Sequence, residues 1–400
     1  MLKTLCAVLI LIGTCQAGTH ANTKALKTDL FTNKSYDYKI RPIDDQSEAM
    51  EITVDLHLLA INEVSESAET LKTTAFLNLF WNDAFLKWDK DTTDITVAFW
   101  PQEDVWKPDI ALKNSNVDYK DLGAPSLNVQ NTAEGFVTWM PFHVFESTCT
   151  IDITNFPFDY QTCYLKFQAW SYRKSEVIML GGSNGIEMSE YEPNSGWEVT
   201  ATGWEIQEDS DDSAISFKLQ LKRKPLYFML SVILPIITLA ILNLCVFLLP
   251  CTSGEKASYA ITVFLSFAVF LTIVSSQLPK NSESVSLISV FLIIQTICST
   301  LITVLALTLL RMSSFDDTVA IPRCLVFFVR CMKCKSYKKG SSVAPIRGAK
   351  MSDESSTAYV ECSWKEVVNF LDTLLFVIFT CILVGSALGC FLQAFLNSKP

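Results

Sequence analysis

Histidine is scarce in this chain of 400 residues, and the positions of the few histidines argue against a hydrolase. The only three are His20, His57 and His143. The segment Gly181 to Gly185 has the G-x-S-x-G pattern of a hydrolase nucleophile elbow, but that fold needs a histidine after its serine. We therefore interpret the segment as a glycine-rich loop. The chain is not expected to be an enzyme.

Cysteine is also scarce in the first half of the chain. Once residues 1–17, a predicted signal peptide, are set aside, Cys149 and Cys163 are the only cysteines before the first long apolar stretch, so we expect them to pair. An oxidising compartment permits that bond, which stabilises by about 3 kcal/mol. Further along, Cys331 and Cys334 lack the two additional ligands that zinc would need. Neither a metal nor a cofactor is expected.

Residues 18–224 lack any long apolar run. They contain 33 Asp and Glu against 18 Lys and Arg, which predicts a water-soluble domain. Apolar side chains alternate with polar ones in two clear segments, at Ile52, Val54, Leu56 and Leu58 and again at Ile215, Phe217, Leu219 and Leu221. Alternation with period two, interrupted by Gly, Pro and Asn, predicts an all-β sandwich of immunoglobulin-like type.

The first 17 residues have the layout of a secretory signal peptide. Lys3 precedes an apolar run from Leu5 to Ile12, and small residues follow up to Ala17, where cleavage is expected. A retained anchor is the alternative, although so short a run spans a membrane poorly. In the secreted part, Asn33 begins a glycosylation sequon.

Four long apolar stretches follow the acidic domain, and each can cross a bilayer. They are Leu226–Leu249, Ala257–Leu278, Val285–Leu310 and Leu371–Leu396. The loop 311–362 carries nine Lys and Arg against five Asp and Glu, which places it in the cytoplasm. Residues 225–310 thus hold the first three spans. Residues 363–400 hold an amphipathic lead-in, the fourth span and a short extracellular C-terminus.

Hydroxyl and apolar residues recur every three or four positions in the second stretch. The members of this stripe are Glu255, Ser258, Thr262, Leu265, Val269, Thr272 and Ser276. That spacing puts them on one helical face, and polar groups in lipid imply a wet or protein-facing surface. Alternatively, the hydroxyls bond back to their own backbone carbonyls.

Several motifs together resemble the Cys-loop receptors, the pentameric ligand-gated ion channels, and among them the nicotinic acetylcholine receptor subunits. They are Phe156-Pro157-Phe158-Asp159 between the paired cysteines, Trp81-Asn82-Asp83, Trp106-Lys107-Pro108-Asp109-Ile110, and Gly254-Glu255-Lys256 followed by Ile261 to Ser266. The resemblance covers the mature chain. It implies four further subunits of the same or a related type, forming a homo- or heteropentamer around a pore.

For conduction, the resemblance implies that the Glu255 side chains of five subunits form a ring of carboxylates. Such a ring favours the passage of cations, which are expected to be monovalent ions and also calcium. Leu265 and Val269 would form apolar rings that exclude water from a closed pore. Ser276 and Gln277 stand where many cation channels have an outer acidic ring, so conductance or calcium preference is expected to differ.

For gating, the resemblance implies that Phe156, Pro157 and Phe158 contact the linker after the second span, beginning near Pro279. Arg223 matches a basic residue that pairs in the family with acids such as Asp159 and Glu66. In the alternative interpretation Arg223 only anchors the chain at lipid headgroups.

For the ligand, the resemblance implies a box of aromatic faces that holds a cation. Trp170 matches its central tryptophan, with Tyr172 and Trp204 as neighbours, and Phe76, Thr138 and Met140 belong to the face offered to an adjacent subunit. Lys113 stands in place of a tyrosine, where it would repel a cationic agonist. The segment Trp204 to Phe217 lacks adjacent cysteines and is acidic, so it either binds another cationic ligand or is solvated surface.

These features predict a cation-selective ligand-gated channel subunit in the plasma membrane, with a synaptic location as one option. The alternative is a complementary or assembly subunit that conducts only with a partner. The small-molecule agonist is expected to be cationic in the simplest case. Membrane lipids are expected partners, because Lys335, Lys338 and Lys339 suit anionic lipid rather than nucleic acid.

Overall fold

The computed structural model describes residues 18–206, 211–277, 285–315, 321–322 and 364–397. The chain divides into two compact units. The β unit comprises Met1–Asp152 and Phe158–Lys224, and the helical unit comprises Ile153–Pro157 and Pro225–Lys399. Pro279, most of the predicted cytoplasmic loop and the predicted leader lie outside the described residues.

Eleven strands are described in the β unit. They are β1 (Met50–Ser65), β2 (Thr70–Asn82), β3 (Val97–Pro101), β4 (Ile110–Leu112), β5 (Asn128–Thr132), β6 (Phe136–Trp139), β7 (Phe142–Thr148), β8 (Tyr160–Arg173), β9 (Val177–Glu187), β10 (Trp197–Ile206) and β11 (Asp212–Arg223). The larger sheet has the order β3-β5-β6-β2-β1-β9, and β7 also pairs with β2. The smaller sheet has the order β10-β11-β8-β4. Short helices span His20–Lys27 and Lys90–Thr93, and a π-helix spans Thr28–Asn33.

The two sheets pack against each other, which confirms the β-sheet architecture predicted for this part of the chain. The predicted inward side chains of β1 and β11 are buried, with Ile52 and Phe217 both at 0% exposure. Phe145 of the larger sheet meets Phe167 of the smaller sheet edge to face, with ring centroids 5.0 Å apart. The predicted disulfide between Cys149 and Cys163 is also present, with Cα atoms 5.1 Å apart.

The glycine-rich segment Gly181 to Gly185 is part of strand β9 rather than a loop, so that prediction was wrong. Its glycines leave room for side chains from elsewhere in the unit. A Cβ atom on Gly181 would come within 2.5 Å of the Trp204 ring, and one on Gly182 would overlap the carboxylate of Asp55. Asp55 Oδ1 in turn accepts a hydrogen bond from the Gly185 amide at 3.1 Å.

Four helices in the described part of the helical unit are long and apolar enough to span a membrane. They are Leu226–Leu248, Lys256–Ser275, Leu287–Ser313 and Trp364–Leu396. All four predicted spans therefore correspond to helices. The predicted lead-in from residue 364 onward belongs to the same continuous helix as the fourth span, Trp364–Asn397.

The first apolar helix changes its hydrogen-bond pattern just before Pro235. Met229–Ile233 forms a π-helical turn, and Leu234–Leu244 continues as an α-helix. Proline has no N–H and crowds the preceding turn, so a local change of this kind accommodates it within a helix. In the same unit, Phe156 packs edge to face on Phe228 with ring centroids 4.8 Å apart.

Candidate ligand-binding and pore-lining sites

A cavity of about 440 Å³ lies beside Trp170 in the β unit. The segment that follows β4, together with parts of β7 and β8, forms its wall. Residues of the wall with polar or aromatic side chains include Asp109, Lys113, Tyr119, His143, Glu146 and Trp170. Because Trp170 is 62% exposed, its ring is available to a bound molecule or to a neighbouring chain.

Asp109 fixes the position of Trp170. The Trp170 amide donates to the Asp109 carbonyl at 3.0 Å, and the Ser171 amide donates to Asp109 Oδ2 at 2.7 Å. The other carboxylate oxygen, Oδ1, is buried and has no hydrogen-bond partner among the residues that the structure describes. A buried acceptor without a donor is costly, so Asp109 holds the Trp170 backbone in place at the expense of one unsatisfied oxygen.

Lys113 is paired with an acid. Its Nζ lies 3.0 Å from Asp212 Oδ2, at the start of β11, and both side chains are partly exposed. An exposed pair of this kind contributes at most about 1 kcal/mol to stability, but it balances the charge of Lys113. Asp211 similarly lies 3.8 Å from Arg173. Two acids of the predicted acidic segment therefore form ion pairs within the unit, while Glu208 and Asp209 fall outside the described residues.

Two titratable groups of the cavity are uncharged near neutral pH. Burial, together with the nearby carboxylates of Asp121 and Asp109, raises the pKa of Tyr119. Burial and the Lys120 ammonium lower the pKa of His143. The formal charges of the wall therefore reside on its carboxylates and lysines, and His143 can donate or accept a hydrogen bond as a neutral ring.

The predicted neighbours of Trp170 do not all lie beside the cavity. Tyr172 packs on Trp106, whose Nε1 donates to the Tyr172 hydroxyl at 3.4 Å. Trp204 is not part of the cavity wall, because its ring covers Gly181 and Gly185 of β9. The structure thus brings Lys113 to the Trp170 region but places Trp204 elsewhere.

The residues assigned to the complementary face lie on the larger sheet. Phe76 stacks on His57 of β1, with ring centroids 4.4 Å apart and an angle of 11° between the planes. It is also paired across the strands with Phe142. Thr138 lies in β6, and Met140 lies two residues later, just beyond the end of that strand. Met140 and Phe142 are both exposed. Trp170 and Phe76 thus belong to different sheets of one chain.

The second apolar helix, Lys256–Gln277, has one exposed and one buried face. Every predicted stripe residue whose side chain is described is exposed, namely Glu255, Ser258, Thr262, Leu265, Val269 and Thr272. The opposite face is buried and includes Ala260, Val263 and Phe267. The side chain of Ser276 lies outside the described residues.

The hydroxyls of this helix also bond to its own backbone. Thr262 Oγ1 donates to the Ser258 carbonyl at 2.8 Å, and Thr272 Oγ1 donates to the Val269 carbonyl at 2.7 Å. The alternative interpretation therefore holds for the hydroxyl protons of these two residues. Their oxygen atoms remain on the exposed face, where they can still accept hydrogen bonds from water.

Arg223 forms the ion pairs that the resemblance implied. Its Nε lies 2.7 Å from Asp159 Oδ1, and its Nη1 lies 2.6 Å from Glu66 Oε1. The guanidinium also stacks over the ring of Trp197, 4.2 Å from the centroid. The side chains of Arg223 and Asp159 are only 3% and 2% exposed, so Arg223 is a buried partner rather than a headgroup anchor.

Sequence reasoning overlooked a buried ion pair in the helical unit. Lys256 Nζ, which has no exposed surface, lies 2.5 Å from Asp372 Oδ1 of the fourth apolar helix. Cys251 Sγ lies 3.6 Å from the same ammonium. A lysine and an aspartate within apolar stretches are costly unless paired, and that cost is the signal that could have found them. Asn33, by contrast, is exposed as a glycosylation site requires.

Two family descriptions match the chain. The neurotransmitter-gated ion-channel ligand binding domain matches residues 23–225, and the neurotransmitter-gated ion-channel transmembrane region matches residues 232–320. The chain belongs to the neurotransmitter-gated ion channel (Cys-loop) family. Since this is a family of ligand-gated channels, the chain is not an enzyme.

Within that family, the chain is similar to nicotinic acetylcholine receptor subunits. It is 32% identical over 305 residues to acetylcholine receptor subunit beta-like 1 of Drosophila melanogaster, covering 74% of this chain and 58% of the relative. It is 35% identical over 288 residues to subunit beta-type lev-1 of Caenorhabditis elegans, covering 71% and 56%. It is 32% identical over 276 residues to human neuronal subunit alpha-6, covering 66% and 55%. The chain thus spans less than two thirds of the length of these relatives.

Proposed function

We propose that this chain is a subunit of a cation-selective, ligand-gated pentameric channel of nicotinic type in the plasma membrane. Agonist would bind in the extracellular β unit, at the interface between subunits, and would open a pore lined by the second apolar helix. In this proposal residues 18–224 are extracellular and the loop 311–362 is cytoplasmic. Family members assemble as pentamers that bind neurotransmitters, which supports the assembly.

The observation that carries this proposal is that the second apolar helix has one exposed face and one buried face. Leu265 and Val269 are 61% and 54% exposed, whereas Val263 and Phe267 are 7% and 4% exposed. A helix that carries Ser258 and Thr262 on its uncovered face would place hydroxyls in lipid unless that face meets water or protein. Five copies around an axis would give these side chains a shared aqueous passage, with Glu255 at one end.

Cysteine accessibility tests this arrangement. We expect Ser258→Cys, Thr262→Cys and Leu265→Cys to react with a charged, water-borne methanethiosulfonate reagent in the assembled protein. Modification would be measured as a change in current and, independently, as loss of labelling by a second thiol reagent. Val263→Cys and Phe267→Cys are matched controls on the buried face of the same helix.

The control variants should react far more slowly. A pore lined by another surface is indicated if the controls react and the stripe variants do not. No conduction path along this helix is supported if neither set is reachable with or without agonist. Chemical labelling shows whether the cysteines are reachable even when the chain alone yields no current.

The Lys113–Asp212 pair favours a second candidate, a complementary or assembly subunit that binds ligand only with a partner. An ion pair occupies the position where the family places an aromatic side chain, so the Trp170 face lacks a full aromatic box. The exposed face around Phe76, Met140 and Phe142 remains suited to a partner that supplies the box. For the agonist of this chain we therefore propose only a chemical class, a small cation.

Recording from cells that express the chain alone separates the two candidates. A reproducible current evoked by a small cationic ligand supports the conducting homomer. Silence despite surface delivery, with current restored by co-expression of a nicotinic subunit that has the aromatic box, supports the complementary role. Phe76→Ala should then weaken the response of the mixed channel, whereas Trp170→Ala should leave it unchanged.

A further inference from the structure

A small cavity lies among the first, third and fourth apolar helices, inside the helical unit. Its volume is about 10 Å³, and its wall combines two amides and a thiol with apolar side chains, namely Asn243, Gln295, Cys298, Leu244 and Phe379. A volume of roughly 10–15 Å³ is just enough for one water molecule. A hydrocarbon chain or an organic ligand is too large for it. The size of the cavity therefore restricts its occupant to a single very small molecule.

Asn243 brings an unpartnered polar atom into this cavity. Its side chain is only 5% exposed, and its Oδ1 atom is buried with no hydrogen-bond partner in the part of the chain that the structure describes. The surrounding core is apolar, with Leu244 and Phe379 both buried beside the cavity. A buried amide oxygen without a donor is costly, and a helix that crosses a bilayer cannot relieve that cost at its lipid-facing side. We therefore expect a donor to reach Asn243 Oδ1 from within the cavity.

Gln295 provides a second polar partner in the same wall. It is also 5% exposed, and its Nε2 donates to Ser386 Oγ of the fourth helix at 3.5 Å. That hydrogen bond uses one N–H of the amide, so a second N–H and the Oε1 atom remain as a donor and an acceptor. A molecule that both donates and accepts can therefore bond to Asn243 and Gln295 together. Water has this property, and buried waters in proteins typically have about two to four such partners.

We propose that this cavity holds one ordered water molecule, which donates a hydrogen bond to Asn243 and accepts one from Gln295. The water joins the first helix to the third, and the bond from Gln295 to Ser386 extends the network to the fourth. Rotating the Asn243 amide by half a turn would present a donor in place of the acceptor, and water can bond to either. The site involves neither agonist nor ion conduction, so it can fail while the proposed channel function stands.

X-ray radiolysis of the purified full-length protein in lipid nanodiscs tests the proposal. Radiolysis of a bound water releases a hydroxyl radical at that place, and the radical oxidises the nearest side chains. Cys298 lines the cavity, whereas Cys381 is exposed on the fourth helix and is not part of the cavity wall. We expect rapid oxidation of Cys298 and slow oxidation of Cys381 in wild type, measured by mass spectrometry of the peptides that contain them.

Replacing Asn243 should remove the water and the labelling that depends on it. N243L puts an apolar side chain of similar size in its place, and the rate of Cys298 oxidation should fall to that of Cys381. T300V is the matched control, because Thr300 is exposed on the third helix and its hydroxyl donates to the Thr296 carbonyl at 2.9 Å. It should keep the wild-type rate. Equal oxidation of Cys298 and Cys381 in wild type, or undiminished oxidation of Cys298 in a folded N243L, overturns the proposal.

A density map of the assembled protein, at a resolution that shows ordered water, provides a second measurement. A single rounded peak within hydrogen-bond distance of Asn243 and Gln295, lost in N243L, supports the proposal. An elongated density would assign the cavity to a lipid or detergent chain, and that result or the lack of any peak would overturn it. Folding is checked by the unfolding temperature. If N243L does not fold, Q295M is used with the same criteria, because methionine matches glutamine in length but has no N–H.

Discussion

Arg223 joins two carboxylates and an indole ring inside the β unit, so removing its charge is expected to be costly. Arg223→Gln leaves Asp159 buried without its cation, and we expect the free energy of unfolding to fall by about 3–5 kcal/mol. Thermal unfolding of the purified protein, followed by tryptophan fluorescence, would measure the loss. Arg173→Gln makes the same change in an exposed pair and should cost at most about 1 kcal/mol.

Similar losses in the two variants would contradict the special role of burial at Arg223. The same burial changes how its predicted part in gating should be tested. Arg223→Gln is expected to reduce surface delivery as well as current, so it does not isolate coupling. Glu66, whose side chain is 25% exposed, is the better target, because Glu66→Gln should leave the fold intact while altering the pair.

Asp83 introduces a pH dependence into the stability of the β unit. It is fully buried and accepts a hydrogen bond from the Tyr36 hydroxyl at 2.7 Å. Burial raises its pKa from the ordinary value to about 6. A carboxyl whose pKa is higher in the folded state binds more protons there, so stability from this group falls as pH rises from about 4 to 6.

Asp83→Asn should remove that slope, because the amide oxygen can still accept a hydrogen bond but does not titrate. The check is the unfolding temperature measured at several pH values between 4 and 7. Asp45→Asn is the control: hydrogen bonds from Ser47 lower the pKa of exposed Asp45, so its contribution to stability changes only below about pH 4, and this variant should keep the wild-type slope between pH 4 and 7. An unchanged slope in Asp83→Asn would show that other groups dominate.

At the scale of single elements, strand β9 depends on glycine for packing. Gly182→Ala would drive a methyl group into the carboxylate of Asp55, and overpacking of this kind costs about 1–3 kcal/mol. Gly203 lies in β10 and a Cβ atom there would meet nothing within 4 Å. Gly203→Ala should therefore be neutral or stabilising by about 0.5–1 kcal/mol. Chemical denaturation of both variants checks the contrast, and equal effects would refute it.

Strands and membrane helices could be predicted because each depends on a local pattern. The alternation at Ile52 to Leu58 and the apolar length of the four spans needed no knowledge of distant residues. Strand β9 could not be predicted in this way. Its glycines suggest a loop when considered alone, and their true reason is contact with Trp204 and Asp55, which come from other strands.

The candidate sites show the same difference between features set by local sequence and features set by distant residues. The exposed stripe of the second helix follows from spacing alone, so it could be identified. The charge of Lys113 was visible in the sequence, but its pairing with Asp212, 99 residues away, was not. The Asp109 oxygen that has no partner among the described residues was equally hidden, because only the folded chain shows which of the two oxygens accepts the hydrogen bond from the Ser171 amide.

At the scale of the whole molecule, Glu255 is expected to set ion selectivity. Five copies of the second helix would concentrate five carboxylates at one end of the passage, where they favour cations. Glu255→Gln should lower the cation-to-anion permeability ratio by about tenfold. Reversal potentials under sodium chloride gradients measure it, and Glu51→Gln in the β unit is a control expected to have no effect. A wild-type reversal potential that follows chloride would contradict the proposal.

The pairing of Lys256 with Asp372 also bears on how the chain is made. The two residues are 116 positions apart, so during synthesis the lysine reaches the translocon long before its acid exists. An unpaired lysine disfavours membrane insertion by about 2.5–3.5 kcal/mol at a helix centre and less near a helix end. The second apolar helix would therefore take its final position only after the last hydrophobic segment has been translated. A nonsense mutation in the predicted cytoplasmic loop, residues 311–362, should consequently yield a product that endoplasmic-reticulum quality control retains and degrades.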